Sequence, residues 1–171
     1  MQDVTDEAAS ALTDEAIKKA AVAWIAVGDA PALGLWCLPL EGALHVVSGP
    51  GEQSAPGLAG AAAATVTLRG DHGGRIVTWP ATVTRILPGT EEWSTLAPQL
   101  ATKRLNAPGS AAELVERWVS TGCALNRLAP AGAPLAAPGS LPDDPLAAPP
   151  RDTPAVRRPK KPFRLHRVRR R

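Results

Sequence analysis

The chain has 171 residues and a net charge of +3, which combines two regions of opposite sign. Residues 1–150 contain nine Lys/Arg against 15 Asp/Glu, a net charge of −6, whereas residues 151–171 contain ten Lys/Arg and one acid, a net charge of +9. An acidic globular part argues against a nucleic-acid platform on the domain itself, because such a platform needs clustered Lys/Arg.

The N-terminal segment predicts a helix and no export signal. MQDVTDEAAS carries acids where a signal peptide has a basic region, and no apolar run approaches the length needed to span a membrane. We therefore expect a cytoplasmic protein. Alanine and acidic residues over Asp3–Lys19 favour a helix, for which Thr13 is a suitable N-cap, with Asp14 and Glu15 in the first turn.

The next stretch predicts a series of short strands separated by turns. Apolar and β-forming residues fill three consecutive segments, AVAWIAVG (Ala21–Gly28), ALGLWCLPL (Ala32–Leu40) and ALHVVSG (Ala43–Gly49). The last two meet across Glu41-Gly42, a two-residue connection typical of a β-hairpin.

A glycine-rich connection then leads to a further hairpin. Residues Gly49–Ala64 contain too much Gly and Pro for a strand, although Leu58–Ala62 favours a short helix. Thr65–Arg69 and Arg75–Leu87 alternate branched and polar residues on either side of Gly70–Gly74. This alternation predicts two strands that each bury one face.

The remainder of the domain predicts helices and one last strand. Pro88–Thr90 turns the chain into a helix over Glu91–Ala97, which resumes after Pro98 as residues 99–104. Ser110 and Glu113 have the spacing of a capping box and open another helix, and Cys123–Pro130 supplies the last strand. The element order predicts a mainly β fold with flanking helices, a six-stranded antiparallel barrel that is closed or half-closed.

The C-terminal part has the composition of a disordered segment. Ten of the 42 residues from Pro130 to Arg171 are proline, and Phe163 is the one aromatic residue among them. The sequence therefore predicts a domain over residues 1–129, a Pro/Ala-rich disordered linker over 130–156 and a basic tail over 157–171. The tail has nine basic residues and no acid, which favours binding to nucleic acid or another polyanion, or attraction to the chain's own acidic domain.

No residue pattern identifies a catalytic side chain or a metal site. His45 and His72 have no carboxylate or cysteine at ligand spacing, which argues against metal and triad chemistry. Cys37 and Cys123 lie in predicted strands outside any metal-binding spacing, so we expect both to be small buried hydrophobic residues.

The chain resembles the split β-barrel flavin-binding superfamily around pyridoxamine 5′-phosphate oxidase. The resemblance covers the predicted domain and is clearest in residues 24–53 and 75–93. In its high content of Ala, Gly, Pro and Arg, the chain is most similar to uncharacterised actinobacterial members. It implies a homodimeric flavoprotein that binds FMN, or a deazaflavin relative, between subunits. It also implies an oxidoreductase in which the flavin performs the chemistry, so no catalytic acid or base is needed.

The resemblance also places the cofactor-binding residues. The strand end and loop after the second hairpin, the next strand and a helix end would hold the cofactor through Val47, Ser48, Gly49, Gln53, Ser54, Thr67, Arg69 and Lys103. Flavin-binding relatives usually carry Lys or Arg in the crossover, but Ser48–Leu68 contains no basic residue. An alternative is a dimeric scaffold that binds no cofactor and acts through its basic tail.

Overall fold

The computed structural model describes residues 2–70 and 74–137, which form seven β-strands, three α-helices and one short 3₁₀ helix. In chain order the elements are α1 (Gln2–Lys18), β1 (Val22–Ala26), β2 (Leu33–Trp36), β3 (Leu38–Leu40), β4 (Ala43–Ser48), the 3₁₀ helix (Leu58–Gly60), β5 (Ala63–Arg69), β6 (Arg75–Ile86), α2 (Glu91–Lys103), α3 (Ala111–Thr121) and β7 (Ala124–Pro130). No helix within the described ranges is both long and apolar enough to cross a membrane.

The strands form one antiparallel sheet that curls into a nearly closed barrel. The strand order is β2-β1-β5-β6-β7-β4-β3, so β2 and β3 occupy the two ends of the sheet. Because Cys37 alone separates these strands in sequence, the covalent chain joins the two ends of the sheet. The split barrel expected from the sequence is thus confirmed.

The predicted number of six strands is wrong by one. The single strand predicted over Ala32–Leu40 is divided at Cys37, where the chain leaves β1 and begins to pair with β4. Cys37 donates its N–H to the carbonyl of Ala21 at 3.0 Å, which fixes this corner. Pro39 has no N–H for a second ladder, which suits an edge strand.

Local sequence signals explain two other elements. The β3–β4 hairpin turns at Glu41 and Gly42, whose φ angles of 51° and 71° are those of the predicted two-residue turn. α3 begins at the predicted capping box, in which Ser110 and Glu113 bond each other's backbone N–H. α1, however, starts at Gln2 rather than after Thr13, since helix-forming residues extend upstream; Thr13 lies inside the helix and is buried.

The core has two parts that share β4. Inside the barrel, apolar side chains of every long strand pack together, with Trp79, Leu44 and Val46 fully buried. Ile17 of α1 and Leu58 of the 3₁₀ helix belong to this interior cluster. Outside the barrel, α2 and α3 pack against Val47 and Leu125. All six residues of β4 are therefore buried.

The chain continues along the barrel after β7 ends. Ala131 donates its N–H to the carbonyl of Pro80 at 2.8 Å, and Thr78 exchanges backbone hydrogen bonds with Ala136 at 2.7 and 3.1 Å. The first residues of the predicted linker thus pair with β6. Its remainder, residues 138–156, and the basic tail, residues 157–171, lie outside the described residues, so the division into domain, linker and tail stays a prediction.

Candidate functional site

One end of the barrel interior is polar. Along β6 the inward positions are Val77, Trp79, Ala81 and Val83, and the next inward position is Arg85. Arg85 pairs in register with Asn126 of β7, and Asn126 pairs with the inward residue Val46 of β4. Paired residues leave a sheet on the same face, so Arg85 and Asn126 share the barrel interior.

A groove of about 350 Å³ opens at this polar end. Its lining includes Ser48, Gly49, Ser54, Arg85, Gly122 and Ala124. Three of the residues predicted to bind a cofactor, Ser48, Gly49 and Ser54, therefore lie together. Among the described residues that line the groove, Arg85 is the one charged side chain.

Several buried polar atoms at this end have no hydrogen-bond partner within the described part of the chain. They are Nε of Arg85 and both amide atoms of Asn126, whose side chain is 0% exposed. Among the described residues, Arg85 makes one side-chain hydrogen bond, from Nη2 to the carbonyl of Cys123 at 3.3 Å. An unsatisfied buried polar group destabilises a fold by about 1–3 kcal/mol, so these three atoms are unusual in a native core.

The loop after β4 is fixed by its backbone. Gly49 donates its N–H to the carbonyl of Gln53 at 3.1 Å, and Glu52 donates its N–H to the carbonyl of Gly49 at 3.0 Å. Gly49 has a φ of 138°, and a Cβ at this position would lie 2.9 Å from Cα of Cys123. Glycine is therefore required where the loop passes the start of β7.

Gln53 ties two strands together with its side chain. Its Oε1 accepts the N–H of Trp36 at 2.7 Å, and its Nε2 donates to the carbonyls of Trp36 at 2.8 Å and of Val47 at 3.0 Å. The Gln53 carboxamide thus bridges the backbones of β2 and β4, as a hydrogen-bonded strand would. Gln53 was predicted from the resemblance as a cofactor ligand; in the structure its carboxamide makes these three bonds, and its backbone supports Gly49.

The neighbouring Glu52 anchors the loop to the helices. Its carboxylate accepts Nε of Arg104 at 2.9 Å and the indole N–H of Trp118 at 2.9 Å. The Arg104 guanidinium also lies 5.3 Å from the centre of the Trp36 ring. The Glu52 side chain is 6% exposed and that of Arg104 is 25% exposed, so the pair is largely removed from solvent.

The other predicted ligands lie elsewhere. The hydroxyl groups of Thr67 and Thr78 are 2.9 Å apart across the β5–β6 ladder, and the Arg69 guanidinium lies 5.0 Å from the centre of the Trp24 ring. Arg69 lines a second groove, beside the end of α1. Lys103 is exposed in the last turn of α2, and Val47 is buried beneath α2 and α3. The eight predicted residues are thus not gathered in one place, and their role as a set stays a prediction.

Arg85 and Asn126 were missed as site residues. The sequence contained a signal for Arg85. Every second residue from Val77 faces inward, and Arg85 is a charged residue in this otherwise apolar series. No comparable signal marks Asn126, since its position opposite Arg85, 41 residues away in the chain, depends on the register of β6 and β7.

Two buried titratable groups lie away from the groove. His45 lies on the outward face of β4, and its pKa is lowered mainly by burial. The charge of Arg127 also lowers this pKa, whereas a hydrogen bond with the Leu38 backbone and the charge of Glu41 raise it. Burial raises the pKa of Cys37 to about 12. Neither His45 nor Cys37 lines the groove. The binding chemistry of the groove therefore depends on hydrogen-bond donors and on the charge of Arg85.

Comparison with known proteins identifies the fold. No family model and no curated protein matches the chain. Among solved structures, HutZ, the heme storage protein of Vibrio cholerae, is similar with a TM-score of 0.52 and 14% identity, over 71% of this chain and 89% of HutZ.

Two further structures are similar at lower scores. A candidate pyridoxamine 5′-phosphate oxidase of Listeria innocua has a TM-score of 0.47 and 13% identity, over 70% of this chain and 93% of its own. An FAD-binding protein of Mesorhizobium loti has a TM-score of 0.43 and 16% identity, over 70% and 88%. The actinobacterial origin suggested by the sequence stays a prediction. Strand order, barrel closure and the likeness to HutZ together show that the chain has a split β-barrel fold, which it shares with HutZ.

Proposed function

We propose that the protein is a cytoplasmic, homodimeric oxidoreductase that binds FMN, or a deazaflavin relative, and acts on a small substrate. One observation carries the proposal: Ser48, Gly49 and Ser54, which the family resemblance assigns to cofactor binding, line one open groove with Arg85. In this proposal, Arg85 of β6 takes the role of the basic residue that the crossover lacks.

The groove has the chemistry of a phosphate site. A phosphate group accepts hydrogen bonds, and it is bound most strongly by charged donors such as a guanidinium group. Arg85 and the serine hydroxyl groups are donors, and no carboxylate is among the described lining residues to repel an anion. When bound, the flavin supplies hydride or electron transfer, while the chain's residues hold and orient it.

Heme is a weaker candidate for this groove. HutZ is described as a heme storage protein, but heme iron is bound by His, Cys, Met or Tyr side chains. The described lining residues of the groove include none of these types. A flavin phosphate therefore fits the groove better than a heme iron does.

The proposed homodimer follows from the family resemblance. Val22 of β1 is 43% exposed and Leu33 of β2 is 41% exposed, but the strand register places them on opposite faces of the sheet, so they form no common apolar patch. Light scattering on a size-exclusion column should give twice the mass of one chain, and the mass of a single chain would contradict the dimer.

Cofactor binding can be tested on the purified full chain. We expect FMN or a deazaflavin mononucleotide to quench the fluorescence of the tryptophans saturably, and a bound flavin to be released on denaturation. Hemin serves as the comparison ligand. A protein that binds neither flavin, or that binds hemin alone, contradicts the proposal.

A second candidate function is a cofactor-free scaffold whose basic tail binds polyanions. The structural hydrogen bonds of the Gln53 side chain favour it, because a loop residue expected to bind the cofactor already bonds Trp36 and Val47. Deletion of residues 151–171 tests this function. RNA or heparin binding that is lost with the deletion and falls steeply with salt supports it, whereas binding that survives the deletion contradicts it.

A further inference from the structure

The polar end of the barrel contains hydrogen-bonding groups that residues 2–70 and 74–137 leave without partners. These groups are the buried Nε of Arg85 and, on the fully buried side chain of Asn126, one donor and one acceptor. Native proteins rarely leave such groups unsatisfied, and a bound molecule is a common explanation.

The strand register brings these groups together. Arg85 stands opposite Asn126 on neighbouring strands, and Ser48 stands opposite Ala124, two residues from Asn126. All four side chains leave the sheet toward the interior. Arg85, Ser48 and Ala124 line the open groove, so a small molecule can reach them from solvent, whereas Asn126 is fully buried and does not line the groove.

Charge and hydrogen bonding restrict what this end would bind. The guanidinium Nε–H and the amide Nδ2–H are donors, and the Ser48 hydroxyl can donate as well. Arg85 repels a cation, and burial of its charge beside an apolar ligand would be unfavourable. An oxyanion with several acceptor oxygens matches the donors, as phosphate and sulfate do.

We propose that Arg85 and Asn126 form an oxyanion site inside the end of the barrel, which recognises a phosphate group by itself, whether free or as the monoester of a larger ligand. The proposal rests on the proposed function only in placing a phosphate in this groove, and it requires no flavin ring. Asn126 is then a residue that determines specificity for the phosphate, with Nδ2 as its donor.

Inorganic phosphate is the direct probe. Calorimetric titration of the full chain with phosphate, against chloride at matched ionic strength, should show saturable binding to one site. Arg85→Gln should weaken that binding about tenfold or more, because a charge-assisted hydrogen bond is lost. Arg127→Gln is the matched control, since Arg127 follows Asn126 on β7 but faces outward, and it should bind as the wild type does. Absence of phosphate binding, or equal weakening by both substitutions, would overturn the proposal.

Substitutions of Asn126 separate binding from folding. Asn126→Asp places a carboxylate beside Arg85, so the protein should remain folded while phosphate binding is lost. Asn126→Leu removes the unsatisfied amide, so in phosphate-free buffer it should melt no lower than the wild type, and added phosphate should stabilise it much less. If Asn126→Asp binds phosphate as tightly as the wild type, Asn126 has no such role and the proposal fails.

The outcomes also separate this site from the flavin proposal. Phosphate binding that depends on Arg85, in a protein that does not bind FMN, retains the oxyanion site and refutes the proposed cofactor. FMN binding that is equally tight in the wild type and in Arg85→Gln refutes the oxyanion site and retains the cofactor.

Discussion

Replacement of Gln53 by alanine should destabilise the barrel at the point where β2 lies beside the end of β4. The substitution removes three hydrogen bonds, of 2.7, 2.8 and 3.0 Å, and leaves the N–H and carbonyl of Trp36 and the carbonyl of Val47 without their partner. Each such bond contributes about 1 kcal/mol net, so the free energy of unfolding should fall by about 3 kcal/mol. Urea denaturation followed by tryptophan fluorescence measures the loss.

Two further variants make the Gln53 experiment specific. Gln53→Glu keeps an acceptor for the N–H of Trp36 but cannot donate to the two carbonyls while ionised, so it should be nearly as destabilising as alanine. Gln99→Ala is the control, because its side chain makes one exposed bond within α2 and should change stability by less than about 0.5 kcal/mol. If Gln53→Ala costs no more than this control, the side chain does not hold the strands together.

Three further predictions concern Gly49, Cys37 and His45. Gly49→Ala should lower stability by about 2–4 kcal/mol, because the φ of 138° is strained for alanine and its Cβ meets the Cys123 backbone; Gly28→Ala, where nothing lies within 4 Å, should cost about 1 kcal/mol. Native Cys37 should resist alkylation at mildly alkaline pH, because its pKa is raised to about 12, and mass spectrometry should find it labelled only after unfolding. Stability should fall as the pH drops below 6.5, because the unfolded chain protonates His45 there while the lowered pKa in the folded chain delays protonation; His45→Gln should flatten this dependence in denaturation curves.

Each of these predictions has a result that contradicts it. Equal effects of alanine at Gly49 and at Gly28 would show that the loop can move away from Cys123. Rapid labelling of Cys37 in the native protein would show that the β2–β3 corner opens readily. A pH dependence unchanged by His45→Gln would assign the acid sensitivity to other groups.

Elements specified by local sequence were predicted closely. The turn at Glu41-Gly42 and the capping box at Ser110 each depend on residues within four positions of one another, and both are confirmed. The alternation in Arg75–Leu87 correctly predicted a strand with an inward face. The barrel class followed from the order of these elements.

Features that depend on distant parts of the chain were not predicted. The strand break at Cys37 reflects a change of partner from β1 to β4, which no local pattern records. The bonds of Gln53 join residues 17 and 6 positions away, through a side chain whose type is equally suited to a ligand. Asn126 meets Arg85 only because β6 and β7 pair in one register.

The preference of the protein for FMN over riboflavin tests the central claim most directly, because the two ligands differ by the phosphate group. Equilibrium dialysis should show FMN bound about tenfold or more tightly than riboflavin by the wild type and by Arg127→Gln. Arg85→Gln should bind both ligands alike. Equal affinity of the wild type for FMN and riboflavin would contradict a phosphate site at the polar end of this barrel.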